Sequence, residues 1–226
     1  MTPVVWPCPL PGGTVREEYA LSFDRGRQRR LLIVPALFDE ANRLRRLTVE
    51  VMRRLDGADI DCFLPDLPGC NESLQPLNVQ TPEDWRDAIA SAARHFRATH
   101  TLGIRGGAML TPENLPGWHY APVKGSSLLR QMIRARILAS REAGVNETQQ
   151  GLLEKALAEG IELSGHDLGA EFVGQFQALS PRAGSGVREI SQDTVGGSGL
   201  WLRAEPDENC EQADTLAAIL AIGLKL

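Results

Sequence analysis

The stretch RRLLIVPALFDEANRLRRLTVEVMRRL, residues 29–55, decides the fold because it places a buried strand directly before an amphipathic helix. The run LLIV at 31–34 contains no polar residue, which is typical of a strand covered on both faces of a sheet. Between residues 41 and 55 the apolar residues recur every three or four positions, with arginines opposite. The segment 41–55 is therefore predicted to be a helix that packs on the sheet.

The same alternation continues along the chain. IDCFLPDL (60–67) and HTLGIRG (100–106) are predicted to be further buried strands. Between them, TPEDWRDAIASAARHF (81–96) has the Thr-Pro-acid start of a helix, with Thr81 as its N-cap. Strands joined by helices must run parallel, because a parallel pair needs a crossover connection.

The remaining elements extend this α/β pattern. The N-terminal residues 1–13 carry four prolines and predict an irregular strand or arm. The two helices that follow the fourth parallel strand are predicted to form a helical insertion at about 125–160, a candidate lid, within a single domain spanning 1–226. The predicted strands are 17–23, 118–123, 161–165, 187–191 and 199–205; the predicted helices are 126–144, 146–160 (N-capped by Asn146), 166–179 and 213–223.

Composition limits the class of protein. The net charge is 24 − 29 = −5, so no overall positive field attracts nucleic acid. The longest apolar stretch, 216–224, is about half of the roughly 20 residues that a membrane helix needs. The N-terminus lacks the basic and apolar regions of a signal peptide, and the four cysteines form no CxxC pair or zinc spacing. We therefore expect a cytoplasmic protein with reduced cysteines, no bound metal and no cofactor.

In parallel sheets ligands bind at the carboxyl ends of the strands, here formed by residues 37–42, 66–73 and 104–107. The order of these segments is that of an α/β-hydrolase, in which a G-x-S-x-G elbow presents the nucleophile. In this sequence the elbow is Gly103-Ile104-Arg105-Gly106-Gly107. A guanidinium stays protonated and is not a nucleophile, so acyl transfer through a serine at this elbow is excluded.

Several stretches, among them DEANRLRR (39–46), GIRGGAML (103–110) and YAPVKGSSLLRQMIRARI (120–137), together resemble the exosortase A system-associated hydrolases, type 2. The resemblance covers about residues 30–220 and includes Trp201 and Glu205 of the late GLWLRAEPDE motif. It implies an α/β-hydrolase fold, an arginine at the elbow and a link to bacterial exopolysaccharide production. The chain departs from the family after the elbow, where Pro112 and Pro116 leave room only for a short turn.

The predicted binding residues are Arg105, Glu40, Asn42 and Asp66. Arg105 could clamp a carboxylate or phosphate, or pair with Glu40 or Asp66 to hold the loops together. Asn42 could contact a ligand or cap the helix that follows it. Arg136 lies between apolar positions of its predicted helix, so we expect a carboxylate beside it.

The catalytic candidates are Cys70, in the turn PGCNES, and His166, which follows a predicted strand. A nucleophilic cysteine needs a nearby base, and His166 is the one histidine predicted at a carboxyl end. His95 and His100 are predicted at the surface, and no histidine stands after the last predicted strand, where a hydrolase triad needs one.

Three hypotheses about function follow from these residues. The first is a non-catalytic or atypical hydrolase-like protein that binds a small anionic or acyl ligand or a partner protein. The second is a genuine hydrolase, esterase or thioesterase-like, that uses a non-standard nucleophile such as Cys70. The third is a structural protein whose helical insertion forms an interface, for example in a homo-oligomer.

Overall fold

The computed structural model describes residues 1–182, 184 and 186–225. Its strands and helices alternate along most of the chain, as the sequence predicts. The strands are β1 (Thr2–Pro9), β2 (Val15–Phe23), β3 (Arg30–Val34), β4 (Asp61–Pro65), β5 (His100–Ile104), β6 (Gly117–Tyr120), β7 (Ile161–Leu163), β8 (His166–Leu168) and β9 (Val187–Ile190). The helices are α1 (Asp39–Gly57), α2 (Pro82–His95), α3 (Gly125–Glu142), α4 (Gln149–Glu159), α5 (Ala170–Ala178), α6 (Gln192–Val195) and α7 (Cys210–Lys225).

Seven strands form one sheet in the order β1-β2-β4-β3-β5-β6-β9. The pairs β3–β4, β3–β5, β5–β6 and β6–β9 are parallel, whereas β1–β2 and β2–β4 are antiparallel. The mostly parallel sheet flanked by helices is therefore confirmed.

Strand β3 shows why the sheet is covered on both faces. Its residues Leu31 to Val34 are fully buried, and alternate side chains point to opposite layers. Leu31 and Ile33 pack in the layer formed with α1 and α7, and Leu32 and Val34 pack with α2 and α5. The continuous apolar run in the sequence reflects this double burial.

The N-terminal segment is more regular than predicted. It forms β1, an eight-residue edge strand that pairs along its whole length with β2. The strand tolerates Pro3, Pro7 and Pro9 because all three lie at alternate positions whose backbone nitrogen points away from β2. The missing N–H of each proline therefore costs no hydrogen bond between the two strands.

Two predicted elements were wrong. The predicted helix 166–179 begins with strand β8, which forms a hairpin with β7, and only Ala170–Ala178 is helical. The predicted strand 199–205 contains a 3-10 helix over Leu200–Leu202 instead. Adjacent Leu200 and Trp201 are both buried there, which a half-buried strand with alternating faces does not allow.

Helix caps are confirmed in one case and wrong in another. Thr81 caps α2 in a reciprocal capping box with Asp84. The predicted cap Asn146 lies outside α4, whose N-cap is Thr148, with its side chain accepting a hydrogen bond from the Gly151 amide. Helix α4 therefore starts later than the sequence indicates.

The segment 125–160 forms the two predicted helices, α3 and α4, and both contact α5. Within α3, the prediction that Arg136 meets a carboxylate is confirmed. Its Nε and Nη2 atoms each lie 3.0 Å from an oxygen of Glu147. Whether these helices act as a lid stays a prediction.

Candidate functional site

The elbow after β5 keeps the tight geometry of a strand-to-helix turn. Arg105 has a φ of 52°, in the left-handed region that disfavours side chains, and it begins a 3-10 helix over Arg105–Met109. A Cβ on Gly107 would lie 2.3 Å from the carbonyl oxygen of Pro35, so only glycine fits there. The predicted short turn after the elbow is confirmed, and close packing against the backbone of Pro35 requires glycine at position 107.

The Arg105 side chain is mostly buried, and three of its five N–H donors have partners. Its Nε and Nη2 atoms donate hydrogen bonds to the two carboxylate oxygens of Glu40 at 3.0 and 2.9 Å. Its Nη1 atom donates to the carbonyl oxygen of Ala121 at 2.8 Å, and its guanidinium lies 4.1 Å from the ring centre of Trp201. Of the two predicted partners, Glu40 pairs with Arg105 and Asp66 does not.

This arrangement limits what Arg105 offers to a ligand. Glu40 is only 2% exposed and neutralises the guanidinium in a bidentate pair. Three of the five N–H donors of the guanidinium already donate hydrogen bonds within the protein. The indole of Trp201 covers one face of the guanidinium. The geometry favours a structural role that joins the elbow to α1 and to the segment before α7.

The other two predicted binding residues lie apart from Arg105. Asp66 is buried and accepts hydrogen bonds from Arg45 at 3.2 Å and from Asn71 at 2.8 Å. Asn42 is exposed inside α1, so the expectation that it caps this helix was wrong. The helix begins earlier because Asp39 and Glu40 occupy its first turn, where acidic side chains favour the helix dipole.

Cys70 and His166 both line a cavity of about 80 Å³, together with apolar residues that include Leu37, Phe38 and Leu67. The hairpin β7–β8 brings His166 to this cavity, where its ring packs edge-on against Phe38 with centroids 5.2 Å apart. Its Nε2 atom lies 3.8 Å from a carboxylate oxygen of Asp39. Sequence reasoning missed Asp39, because nothing local to either segment indicates that they meet.

The cavity suppresses the reactivity of the Cys70 thiol. Burial raises its pKa to about 12, and the nearby carboxylates of Asp66 and Glu18 add to the shift. Burial also raises the pKa of Glu18 itself and lowers that of His166. A thiolate is therefore strongly disfavoured at neutral pH.

Three solved structures share this architecture over nearly the whole chain. An esterase from Exiguobacterium antarcticum superposes with a TM-score of 0.61 at 11% sequence identity, over 99% of this chain and 100% of that chain. Alpha/beta hydrolase domain-containing protein 10 from mouse has a TM-score of 0.55 at 11% identity, over 98% of each chain. Rv0554 from Mycobacterium tuberculosis has a TM-score of 0.54 at 10% identity, over 98% of this chain and 97% of that chain. The chain has the α/β-hydrolase fold. No protein-family model matches the sequence, and no curated protein is significantly similar to it.

In the α/β-hydrolase fold the triad follows the chain order nucleophile, acid, histidine. Here the segment between α6 and α7 places Trp201 against Arg105, and no described residue of that segment is a histidine. The other histidines do not replace it: His119 is buried and hydrogen-bonded to Thr111 at 2.9 Å, and His95 is exposed, as predicted. His100, predicted at the surface, is partly buried against Trp118.

The arginines of α1 connect this helix of the α/β-hydrolase fold to surrounding segments. Arg43 donates to the carbonyl oxygen of Trp201 at 3.1 Å, Arg45 donates to Asp66, and Arg46 pairs with Glu208. Together with the Glu40–Arg105 pair, these contacts account for most polar residues of the stretch DEANRLRR. The stretch therefore shapes the carboxyl-end surface of the sheet.

No group of three or more His, Cys, Asp or Glu side chains suited to a metal ion occurs in residues 1–182, 184 and 186–225. In the same part of the chain, no helix combines the length and apolar character needed to cross a membrane.

Proposed function

We propose that this protein is a non-catalytic or atypical member of the α/β-hydrolase fold that binds a small anionic or acyl ligand, or a partner protein. One observation carries the proposal. The elbow position that presents a nucleophile in this fold holds Arg105, which is neutralised by Glu40 and stacked on Trp201. A guanidinium stays protonated, so this side chain neither attacks an acyl carbon nor takes a proton from water.

A link to bacterial exopolysaccharide and exosortase systems is part of the same proposal. It is supported by the resemblance of the stretches 39–46, 103–110 and 120–137 to the type 2 exosortase-associated hydrolases. Four free cysteines support a reducing compartment, the cytoplasm. The helical insertion 125–160 is then either a lid over the ligand or the interface of a homo-oligomer.

We expect the purified protein to be inert to serine-directed fluorophosphonate probes, because the elbow has no serine to be phosphonylated. The measurement is intact-protein mass spectrometry after incubation, with an active serine esterase treated alongside to show that the probe works. Stoichiometric labelling of any serine would contradict the proposal.

The alternative function is a hydrolase that uses Cys70. Two observations favour it: Cys70 and His166 line one cavity, and a carboxylate oxygen of Asp39 lies 3.8 Å from Nε2 of His166. These three residues are of the types that serve as nucleophile, base and orienting acid. Against it stands the pKa of Cys70, which burial raises to about 12. The short 3-10 turn after the elbow also offers no long helix N-terminus to stabilise an oxyanion.

Replacing Cys70 with Ala should leave any hydrolysis of p-nitrophenyl acetate or of an acyl thioester by the purified protein unchanged within about twofold. Cys8→Ala is the control, because Cys8 is a buried cysteine that does not line the cavity, whereas Cys70 is partly buried and lines it. Loss of a robust activity in Cys70→Ala alone would favour the hydrolase hypothesis, and His166→Gln would then be the next variant.

A further inference from the structure

A second cavity lies between the first turns of α1 and the start of α3. Leu37, Phe38, Leu128 and Met132 supply apolar walls, and Arg43 and Gln131 supply polar groups. Its volume is about 70 Å³, which is room for a small molecule. We call it the α1–α3 groove; it shares the walls Leu37 and Phe38 with the cavity that Cys70 and His166 line, but neither Cys70 nor His166 lines the groove.

Arg43 differs from the other charged residues around it. No carboxylate among the described residues lies within 4.0 Å of its guanidinium, whereas Arg45, Arg46 and Arg105 each pair with one. Its only hydrogen bond within that part of the chain runs from Nη1 to the carbonyl oxygen of Trp201, 3.1 Å away. Most of its N–H donors are therefore available to a ligand.

The other charges that face the groove are two carboxylates. Glu40 is occupied by its bidentate pair with Arg105. Asp39 is partly exposed, and one of its carboxylate oxygens lies 3.8 Å from Nε2 of His166, a ring whose pKa burial lowers. A bound anion would therefore be attracted by Arg43 and repelled by Asp39, and the two substitutions should have opposite effects on its affinity.

We propose that the α1–α3 groove binds a short-chain monocarboxylate, with the carboxylate on Arg43 and the hydrocarbon chain against Leu37, Leu128 and Met132. A guanidinium with free donors matches a carboxylate in shape and charge, and the apolar walls exclude water from the chain. The inference rests on the ligand-binding part of the proposed function and specifies the class of ligand and its site. It also moves anion binding from Arg105 to Arg43.

The groove's size sets the chain length. A four-carbon carboxylate is small enough to suit a groove of about 70 Å³, with its charged end at Arg43. So small a ligand binds in the millimolar range, as its few contacts allow. An eight-carbon chain would leave its end in solvent and gain little.

The test is titration of the full-length protein with butyrate, followed by protein NMR chemical shifts, with butyramide as the neutral control of the same shape. We expect saturable butyrate binding that is at least about tenfold tighter than butyramide binding, because the charge-assisted hydrogen bonds are lost in the amide. Arg43→Gln should weaken butyrate binding about tenfold, and Asp39→Asn should tighten it severalfold.

Arg46→Gln is the matched control, since Arg46 stands on the same helix, pairs with Glu208 and does not line the groove. It should leave the affinity unchanged, and thermal melting of each variant verifies that it folds. The proposal is overturned if butyrate does not bind, if butyramide binds equally well, or if Arg43→Gln and Arg46→Gln behave alike. None of these results changes the fluorophosphonate outcome, so a failure of this inference is distinct from a failure of the non-catalytic assignment.

Discussion

Arg105→Ala is expected to lower the free energy of unfolding by about 3–5 kcal/mol, because it leaves a buried carboxylate without its counter-ion. The side chain of Glu40 is 2% exposed, so little water solvates its charge in the folded protein. The substitution also removes the hydrogen bond to Ala121 and the stacking on Trp201. The measurement is equilibrium unfolding in urea, followed by tryptophan fluorescence and circular dichroism.

Two further variants separate the buried charge from general packing. The double variant Glu40→Leu/Arg105→Met removes both charges and should recover much of the lost stability, since an apolar pair often replaces a buried ion pair at little cost. Arg53→Ala breaks the exposed pair with Glu50 and should change stability by less than about 1 kcal/mol. If Arg105→Ala were as mild as Arg53→Ala, the structural role assigned to the elbow arginine would be wrong.

Asp61→Ala should be destabilising by a similar amount, about 3–5 kcal/mol, although it lies at the opposite end of the sheet. The carboxylate of Asp61 is completely buried and accepts hydrogen bonds from the amides of Arg25 and Arg27 at 3.0 and 2.8 Å. It also accepts from the guanidinium groups of Arg27 and Arg30 at 3.2 and 2.9 Å. Its removal leaves several donors of the β2–β3 turn without an acceptor.

The same urea titration measures this effect. Asp207→Ala provides the comparison, because Asp207 is half-exposed and its ion pair with Arg203 is long, at 3.8 Å. Its loss should lower the free energy of unfolding by less than about 1 kcal/mol. A loss below that limit for Asp61→Ala would show that the turn satisfies its donors in another way.

The elements that the sequence predicts well are those whose pattern is set by burial on one or two faces. The apolar run of β3 and the periodic face of α1 each depend on a single packing surface, so local pattern suffices. The pairing of Arg105 with Glu40 was also predictable, since both lie at neighbouring strand ends of a parallel sheet.

The elements that sequence reasoning missed depend on turn chemistry or on contacts distant in the chain. Ser164 and Gly165 both have positive φ, as the two-residue turn of the β7–β8 hairpin requires, and this Ser-Gly pair was the available signal for the hairpin. The approach of His166 to Asp39 follows only once that hairpin is placed. No local pattern near Trp201 indicates that its ring covers Arg105.

The prolines of β1 have a consequence for the behaviour of the protein in concentrated solution. An edge strand normally exposes a row of N–H groups on which a strand of another molecule can assemble. Pro3, Pro7 and Pro9 remove three of these donors from the outer side of β1, which leaves Val5 as the one residue between Pro3 and Pro9 that still presents an N–H there. With so few N–H donors, this edge is a poor template for strand-by-strand assembly, and the protection comes from the backbone itself.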